Sequence, residues 1–262
     1  MPRLGIFDSG VGGLTVQRAI LRRLPWVDTL YLGDTARVPY GTKSAAVVTQ
    51  YSLRNARFLV SHDVDLLVVA CNTASAVALP ALREALAIPV IGVVEPGARA
   101  AARATRSGRI GVIGTPSTIA SGAYQRALIA QRREAEVVAR ACPLFVPLAE
   151  EGWTDPDDEV VRAAVGRYLA PLAEARIDTL VLGCTHYPLL EAAIGRALPG
   201  VTLVDSAEAI ATEVGERLGA RSAGAAAAAR HRFFVTDTPE RFLEVAERFL
   251  GRSIERAEQI DL

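Results

Sequence analysis

The most constraining feature of the sequence is an apolar run that ends at a cysteine and occurs twice. The first copy covers residues 65–76 (DLLVVACNTASA) and the second covers 178–186 (DTLVLGCTH). In both copies an aspartate stands six positions before the cysteine, and a hydrogen-bonding side chain follows it directly. A short continuous run of leucine and β-branched residues is typical of a strand buried on both faces of a parallel sheet. The repeat therefore predicts two similar segments that end in matched thiols, Cys71 and Cys184.

The polar residues after each cysteine predict the start of a helix, so Cys71 and Cys184 should lie where a strand ends and a helix begins. Open α/β sheets bind their ligands at the carboxyl ends of the strands. The positive end of a helix dipole also favours a thiolate. We therefore expect both thiols to face a ligand, with a helix dipole that favours their ionised form.

The rest of the chain alternates strand-like and helix-like segments, which is the pattern of a parallel α/β fold. The predicted strands cover about residues 3–8, 28–33, 65–70, 89–94, 109–113, 136–140, 178–183, 201–204 and 232–236. The predicted helices cover about residues 13–24, 43–61, 74–86, 97–105, 117–131, 156–175, 187–198, 207–219 and 239–250. For the helix at 156–175, Asp155 is the predicted N-cap and Pro156 a residue of the first turn.

The two halves of the chain resemble each other beyond the cysteine segments. Residues 5–9 (GIFDS) correspond to 111–115 (GVIGT), and each half closes with a predicted strand that ends in an acid, Glu95 or Asp205. We infer a pseudo-duplicated α/β protein of two similar parallel-sheet domains, with the active site in the cleft between them. The predicted first domain comprises residues 1–96 and 207–262, and the second comprises 97–206. The Ala- and Gly-rich stretch at 223–229 is predicted to be a surface linker.

The composition narrows the classes of partner and compartment. The formal net charge of zero over 262 residues gives no electrostatic reason to expect nucleic acid or a membrane surface as the main partner. No apolar run approaches the roughly 18 residues of a membrane span, and the first strand begins too early to leave room for a signal peptide. Three cysteines are too few for a disulfide scaffold. We expect a cytoplasmic protein with free thiols that binds a small neutral or zwitterionic ligand.

The sequence offers little that would hold a cofactor. Lys43 is the only lysine and therefore the only candidate for the Schiff base that pyridoxal phosphate requires. It lies in a predicted loop, and we do not expect that role. No phosphate-binding loop or dinucleotide fingerprint is present, because the glycines within residues 10–13 have the wrong spacing. We expect neither a cofactor nor a metal.

Two thiols on opposite walls of one cleft suit a reaction that moves a proton from one face of a carbon to the other. One cysteine, as thiolate, removes the proton while the other, as thiol, delivers one from behind, and the stereocentre inverts. An unperturbed cysteine titrates at about 8.5, so neighbours must decide which thiol is ionised at neutral pH. Asp8 is the predicted neighbour of Cys71, and His186 is the predicted neighbour of Cys184.

The same residue types also have structural interpretations. A single cysteine in an apolar run is often a small core residue. The polar neighbours of both repeated thiols are harder to explain as packing, because each would need a partner if it were buried. Cys142 lacks such neighbours and is predicted to be structural. His62 and His231 are predicted to lie at the surface.

Two further loops should reach the cleft. Residues 33–41 (GDTARVPYG) follow the second strand, and their Pro-Tyr-Gly turn offers backbone amides and the phenol of Tyr40 to a carboxylate. The alternative is an ordinary loop with a structural contact between Asp34 and Arg37. Glu150 and Glu151 hold a similar place in the second half, either as solvated surface acids or, for one of them, as an aid to Cys184.

Together these segments resemble the glutamate racemase family. The matching segments are 8–13 (DSGVGG), 33–41, 70–74 (ACNTA), 143–148 (PLFVPL) with Glu150, and 182–189 (LGCTHYPL). The two-cysteine layout is shared in part by aspartate and hydantoin racemases and by arylmalonate decarboxylase. The Pro-Tyr-Gly loop and the Cys-Thr-His-Tyr-Pro segment favour the glutamate branch.

The resemblance implies cofactor-independent interconversion of L- and D-glutamate, which supplies D-glutamate for peptidoglycan. It implies that Cys71 and Cys184 are the acid/base residues, with support from Asp8, His186 and Glu150. The residues implied to bind the substrate are Asp8, Ser9, Tyr40, Gly41, Asn72, Thr73, Thr185 and His186. Of these, Tyr40 and Gly41 would hold the side-chain carboxylate.

Other functions stay open at this point. Cys184 with His186 as its base suits nucleophilic catalysis by a hydrolase or transferase, although that leaves Cys71 unexplained. A non-enzymatic protein that senses a small ligand or regulates a partner is a further alternative. Some glutamate racemases are described as also inhibiting DNA gyrase, but no segment here supports such a role. The sequence does not fix the oligomeric state, and a homodimer is one state that it allows.

Overall fold

The computed structural model describes residues 2–219 and 229–262, which form parallel strands and the helices that cover them. The strands are β1 (Arg3–Asp8), β2 (Asp28–Gly33), β3 (Leu66–Val69), β4 (Val90–Gly92), β5 (Arg109–Gly114), β6 (Glu136–Ala141), β7 (Thr179–Gly183), β8 (Thr202–Asp205), β9 (His231–Val235) and β10 (Glu258–Gln259). The helices are α1 (Leu14–Arg23), α2 (Ala45–Val60), α3 (Asn72–Val77), α4 (Leu79–Ala85), α5 (Val94–Ala104), α6 (Pro116–Ala120), α7 (Ala123–Gln131), α8 (Phe145–Glu151), α9 (Glu159–Glu174), α10 (Glu191–Ala197), α11 (Ser206–Leu218) and α12 (Pro239–Leu250). Short 3-10 turns cover Thr35–Arg37, Tyr40–Thr42 and Tyr187–Leu190.

The strands form two sheets whose central parts have the same order. The six-stranded sheet runs β10-β9-β2-β1-β3-β4, and the four-stranded sheet runs β6-β5-β7-β8. Every strand pairing in them is parallel. Strand β5 therefore has the same position relative to β6, β7 and β8 as β1 has relative to β2, β3 and β4. This confirms the predicted fold of two similar parallel-sheet α/β halves.

The repeated aspartates make equivalent contacts at the starts of the two sheets. Asp65 Oδ2 accepts the N–H of Arg3, the first residue of β1, at 2.8 Å. Asp178 accepts the hydroxyl of Thr105 and the N–H of Ser107, just before β5, both at 2.6 Å. Each carboxylate thus ties the strand that leads to its cysteine to the strand beside it. That shared contact explains why both copies of the segment begin with aspartate.

Side chains on both faces of the first sheet are buried, as its continuous apolar strands predict. On one face Leu4 and Ile6 pack with residues of α1, α11 and α12. On the other face Phe7 packs with residues of α2 and α4. Helix α11 follows β8 of the second sheet but packs on the first, so the chain returns there. The predicted division at residues 96 and 97 falls inside α5, and the domain boundaries stay a prediction.

Two predicted element ends are wrong. The N-cap of α9 is Asp158 rather than Asp155, because Asp158 Oδ1 accepts the N–H groups of Val160 and Val161 at 2.8 and 3.0 Å. Asp155 lies in the preceding turn. Strand β4 stops at Gly92, and Glu95 does not end it but belongs to the first turn of α5.

Several predicted helices are interrupted in the structure. The segment 74–86 divides into α3 and α4, and 117–131 divides into α6 and α7 at Gly122, whose φ of 66° is left-handed. The segment 187–198 begins as a 3-10 turn. Helix α8 was not predicted, since seven residues with a proline inside them give little periodic signal. Strand β10, of two residues, was also missed.

Two remaining predictions concern the linker at 223–229 and membrane spans. Most of the predicted linker at 223–229 lies outside the described residues. Within residues 2–219 and 229–262, no helix combines the length and the apolar character needed to cross a membrane.

Candidate active site

Both repeated cysteines open onto one cavity between the two halves. Its volume is about 160 Å³, which is far more than the roughly 10–15 Å³ that one water needs and is enough for a ligand of about ten non-hydrogen atoms. The first half contributes Ser9, Pro39, Tyr40, Gly41, Thr42, Cys71, Asn72 and Thr73 to its lining. The second half contributes Thr115, Pro116, Pro143, Val146, Pro147, Cys184, Thr185 and His186. The cavity therefore lies in the predicted cleft.

Cys71 follows β3 and caps α3. Its Sγ accepts the N–H of Ala74 at 3.5 Å and lies 3.8 Å from Ser9 Oγ. Burial, together with the negative charge of Asp8, raises the pKa of the Cys71 thiol to about 12. The N–H of Ala74, at the start of the six-residue helix α3, favours the thiolate as predicted, but burial outweighs this contact.

Asp8 ends β1 and is fully buried. Its Oδ2 accepts the N–H of Gly10 at 2.9 Å, while Oδ1 has no hydrogen-bond partner among the described residues. Burial raises the pKa of Asp8, although the charge of His186 opposes the rise. The Asp8 side chain lies behind the lining residues, and its charge is near enough to influence Cys71.

On the opposite wall, Cys184 directly follows β7. Its Sγ lies 3.8 Å from His186 Nδ1, and His186 Nε2 lies 2.9 Å from Glu150 Oε1 of α8. Burial alone would lower the pKa of His186, but the hydrogen bonds to Cys184 and Glu150 outweigh it and raise the pKa to about 10. Both contacts therefore favour the imidazolium form of His186.

Contrary to the prediction, the chain after Cys184 does not start an α-helix. It forms a turn and then the 3-10 turn Tyr187–Leu190, with Pro188 near its start. A turn of this kind has little of the dipole that a long α-helix would supply. The group that lies next to Cys184 Sγ is therefore the His186 side chain and not the start of an α-helix.

The glycines after Asp8 let the two walls meet closely. A Cβ added at Gly12 would lie 2.3 Å from Thr185 Oγ1 and 2.4 Å from His186 Cε1. Thr15 Oγ1, in the first turn of α1, donates to the carbonyl of Thr185 at 3.0 Å. The glycine-rich segment at residues 10–13 thus lets the first half pack closely against Thr185 and His186, next to Cys184.

The Pro-Tyr-Gly loop reaches the cavity, but the phenol of Tyr40 is engaged elsewhere. Its hydroxyl donates to Asp34 Oδ2 and accepts from Asn55 Nδ2, the latter at 3.1 Å. Arg37 Nη1 also donates to Asp34 Oδ1 at 2.9 Å. The structural contact between Asp34 and Arg37 that the sequence left open is therefore present. Pro39, Gly41 and Thr42 line the cavity together with Tyr40.

Polar residues at the start of α3 meet partners from the second half. Tyr124 Oη donates to Asn72 Oδ1 at 2.6 Å, whereas Asn72 Nδ2 is buried and has no partner among the described residues. Thr73 Oγ1 lies 2.9 Å from Thr115 Oγ1 and 3.1 Å from Thr118 Oγ1. None of these three partners is among the predicted site residues. The internal repeat holds a signal for Thr115, because that residue aligns with Ser9.

The remaining candidate residues lie outside the cavity lining. Cys142 is fully buried, and burial raises its pKa to about 12, as suits a structural cysteine. His62 and His231 are partly buried rather than at the surface. Nδ1 of His62 lies 2.9 Å from Phe58 O, and Nδ1 of His231 lies 2.9 Å from Thr29 Oγ1. Lys43 follows the 3-10 turn Tyr40–Thr42 and does not line the cavity.

Comparisons with known proteins agree with this architecture. Residues 15–214 match the Asp/Glu/Hydantoin racemase family. The glutamate racemase of Geobacter metallireducens is 58% identical over 99% of this chain and 96% of its own length. The crystal structure of a glutamate racemase from Bacillus anthracis superposes with a TM-score of 0.92 at 44% identity, covering 100% of this chain and 98% of that one. The glutamate racemase of Francisella tularensis in complex with D-glutamate gives a TM-score of 0.90 at 35% identity, covering 99% and 97%.

The two parallel α/β halves and their shared cavity define the class, which is that of the α/β racemases. This chain belongs to the Asp/Glu/hydantoin racemase family, as the match over residues 15–214 and the full-length relatives show. The prediction that it is an amino-acid racemase is therefore confirmed.

Proposed function

We propose that this protein interconverts L- and D-glutamate without a cofactor, and that it supplies D-glutamate for peptidoglycan in the cytoplasm. The observation that carries the proposal is the pair of cysteines, one from each half, at a single cavity. Relatives that are 46–58% identical over the full chain are glutamate racemases, which supports glutamate as the substrate. The related enzymes of Francisella tularensis and Escherichia coli have been crystallised with D-glutamate and with L-glutamate.

In this proposal the start of α3 and the facing loop hold the amino-acid end of the substrate. Ser9, Asn72, Thr73 and Thr185 line the cavity and bind the ammonium and α-carboxylate groups. Asn72 Nδ2 is a buried donor that lacks a protein partner, and a carboxylate oxygen would satisfy it. The buried carboxylate of Asp8, with Oδ1 unpaired, favours the substrate's ammonium group nearby.

The side-chain carboxylate of glutamate is assigned to the backbone of Tyr40 and Gly41. The phenol of Tyr40 is committed to Asp34 and Asn55 and serves to fix the loop. Gly41 packs against Thr115, since a Cβ added there would lie 2.7 Å from Thr115 Cβ. A site built to bind a second carboxylate rejects analogues that lack one, because its donors would be left unpaired.

Proton transfer in this proposal uses Cys184 and Cys71 in turn. Cys184, as a thiolate beside the His186 imidazolium, takes the Cα proton, and the Cys71 thiol delivers a proton to the opposite face. The C–H bond on one side breaks while a C–H bond on the other side forms, so Cys184 becomes a thiol and Cys71 a thiolate. The opposite enantiomer uses the reverse sequence. Glu150 keeps His186 protonated, and Asp8 assists proton exchange at Cys71.

Solvent deuterium tests this mechanism. With D-glutamate in deuterated water and no added cofactor, the optical rotation should decay and the L-glutamate formed should carry deuterium at Cα. Cys71→Ser and Cys184→Ser should each abolish racemisation, whereas the matched control Cys142→Ala should retain it. Wild-type protein that exchanges no Cα proton would refute the function, and full activity in either serine variant would refute the two-base mechanism.

One observation favours a second candidate function. Cys184 Sγ and His186 Nδ1 are only 3.8 Å apart, which also suits a nucleophilic thiol with its base. That function would leave the second thiol, Cys71, without a role. Mass spectrometry of the protein with glutamate distinguishes the two, since nucleophilic catalysis predicts a covalent adduct on Cys184 and racemisation predicts none.

We also propose that the protein forms a homodimer. Light scattering at micromolar concentration would test it, with a particle mass near 27.8 kDa counting against it.

A further inference from the structure

Tyr124 connects the second half of the molecule to the substrate-binding end of the first. It lies on α7, is 1% exposed, and donates its hydroxyl hydrogen to Asn72 Oδ1 at 2.6 Å. Two glycines leave room for its ring. A Cβ added at Gly97 would lie 3.4 Å from Tyr124 Oη, and one added at Gly183 would lie 3.0 Å from Tyr124 Cε2. The phenol is therefore held in one place by close packing.

The partner of Tyr124 is a side chain that can present either of two chemical faces. A carboxamide offers an oxygen that accepts and an NH₂ group that donates, and rotation by half a turn exchanges them. Asn72 is 2% exposed, lines the cavity, and has only its oxygen paired. Because the phenol donates to the oxygen, the NH₂ group must take the remaining direction. A substrate carboxylate needs that NH₂ group, and the opposite orientation would set oxygen against oxygen.

We propose that Tyr124 is a positioning residue, which fixes the carboxamide of Asn72 so that its NH₂ group is presented to the carboxylate of the substrate. The inference rests on the proposed function, since it deepens how that site binds glutamate. Burial raises the pKa of Tyr124, so the phenol keeps the proton that it donates. Because the phenol comes from the second half, the first half acquires a correctly oriented Asn72 only when the two halves are packed together.

Tyr124→Phe removes the hydroxyl and leaves the ring. Asn72 then loses the hydrogen bond that holds its carboxamide oxygen, and carboxylate binding weakens. A carboxylate contact is present in the ground state and the transition state alike, so KM should rise about tenfold while kcat changes less. Tyr168→Phe is the matched control, because it removes a hydroxyl from α9, away from the cavity lining. It should leave both constants unchanged.

A double-mutant cycle separates positioning from a general structural effect. Asn72→Ala removes the carboxamide, and in that background Tyr124→Phe should change KM by less than about twofold. Additive effects of the two substitutions would overturn the inference. An unchanged KM in Tyr124→Phe alone would also overturn it.

Calorimetric binding of D-glutamate keeps this inference distinguishable from the proposed function. If wild-type protein binds D-glutamate but does not racemise it, the function fails while the cycle can still be read from dissociation constants. If Tyr124→Phe then binds as tightly as wild type, the positioning role fails too. If wild-type protein neither binds nor racemises glutamate, both proposals are wrong.

Discussion

The pair formed by His186 and Glu150 predicts a specific effect when the acid is neutralised. Glu150 Oε1 lies 2.9 Å from His186 Nε2. Burial would lower the pKa of His186, but the contacts with Cys184 and Glu150 raise it to about 10. Glu150→Gln keeps the length of the side chain and an oxygen that can accept the hydrogen bond, but it removes the negative charge. We therefore expect the pKa of His186 to fall.

The size of the fall follows from distance and exposure. An opposite charge within hydrogen-bond distance shifts a pKa by about 1–3 units. The side chain of Glu150 is 40% exposed, so solvent screening places its share at the lower end, about one unit or about 1.4 kcal/mol. A pKa raised in the folded state stabilises the protein below the unfolded value of about 6.5, and this stabilisation is lost as the pH rises through about 10. Glu150→Gln should therefore lower the free energy of unfolding at pH 6 by about 1 kcal/mol and by much less above pH 10.

Two measurements check this prediction. The chain has only three histidines, so NMR of labelled histidine can follow His186 directly. Its pKa should be about 10 in wild-type protein and about one unit lower in Glu150→Gln. Urea unfolding at pH 6 and above pH 10 gives the change in stability. Glu151→Gln is the matched control, since Glu151 is 62% exposed and pairs with Arg241 at the surface.

Kinetics add a further constraint. Two enantiomers have the same free energy in water, so kcat/KM must be equal in the two directions and must fall by the same factor in any variant. Titration of His186 near its ordinary pKa in wild-type protein would refute this prediction. The prediction would also be refuted if Glu150→Gln and Glu151→Gln had the same effect on the titration of His186.

Two further predictions concern packing and a helix cap. Gly12→Ala should abolish measurable racemisation, because the added Cβ would lie 2.3 Å from Thr185 Oγ1. Gly166→Ala, where nothing lies within 4 Å, should leave activity intact and stabilise α9 by up to about 1 kcal/mol in thermal or urea unfolding. Asp158→Ala should lower the free energy of unfolding by about 1 kcal/mol in urea, because Asp158 caps α9; an unchanged midpoint would contradict this assignment.

The parts of the fold that the sequence predicted well are those with strong local signals. The strands that lead to Cys71 and Cys184 are continuous apolar runs, and the structure has them as β3 and β7. The internal repeat predicted two similar sheets, and the order β6-β5-β7-β8 matches the order β2-β1-β3-β4 within the first sheet. The N-cap of α9 was harder to predict, because Asp155, Asp157 and Asp158 are equally good capping residues and only their hydrogen bonds distinguish them.

The features of the site that the sequence did not predict depend on contacts between distant segments. Tyr124 touches Asn72 across 52 positions, and no local pattern marks that pairing. The phenol of Tyr40 appeared available to a ligand until the structure paired it with Asp34 and Asn55. The raised pKa of the Cys71 thiol was not predicted for a related reason, since the helix start is visible in the sequence and the depth of burial is not.

The duplicated fold places two similar thiols at one cavity, yet it does not make them equal. Burial and the nearby charge of Asp8 raise the pKa of Cys71, whereas Cys184 Sγ lies 3.8 Å from His186 Nδ1. In the proposed mechanism the resting protein therefore meets substrate with Cys184 as the base and Cys71 as the acid. Only the enantiomer whose Cα proton faces Cys184 can react with the protein in this state. The other enantiomer can react only after a proton has moved from Cys71 to Cys184. Because kcat/KM must be equal in the two directions, this asymmetry can appear only as kcat and KM values that both differ between the enantiomers by the same factor.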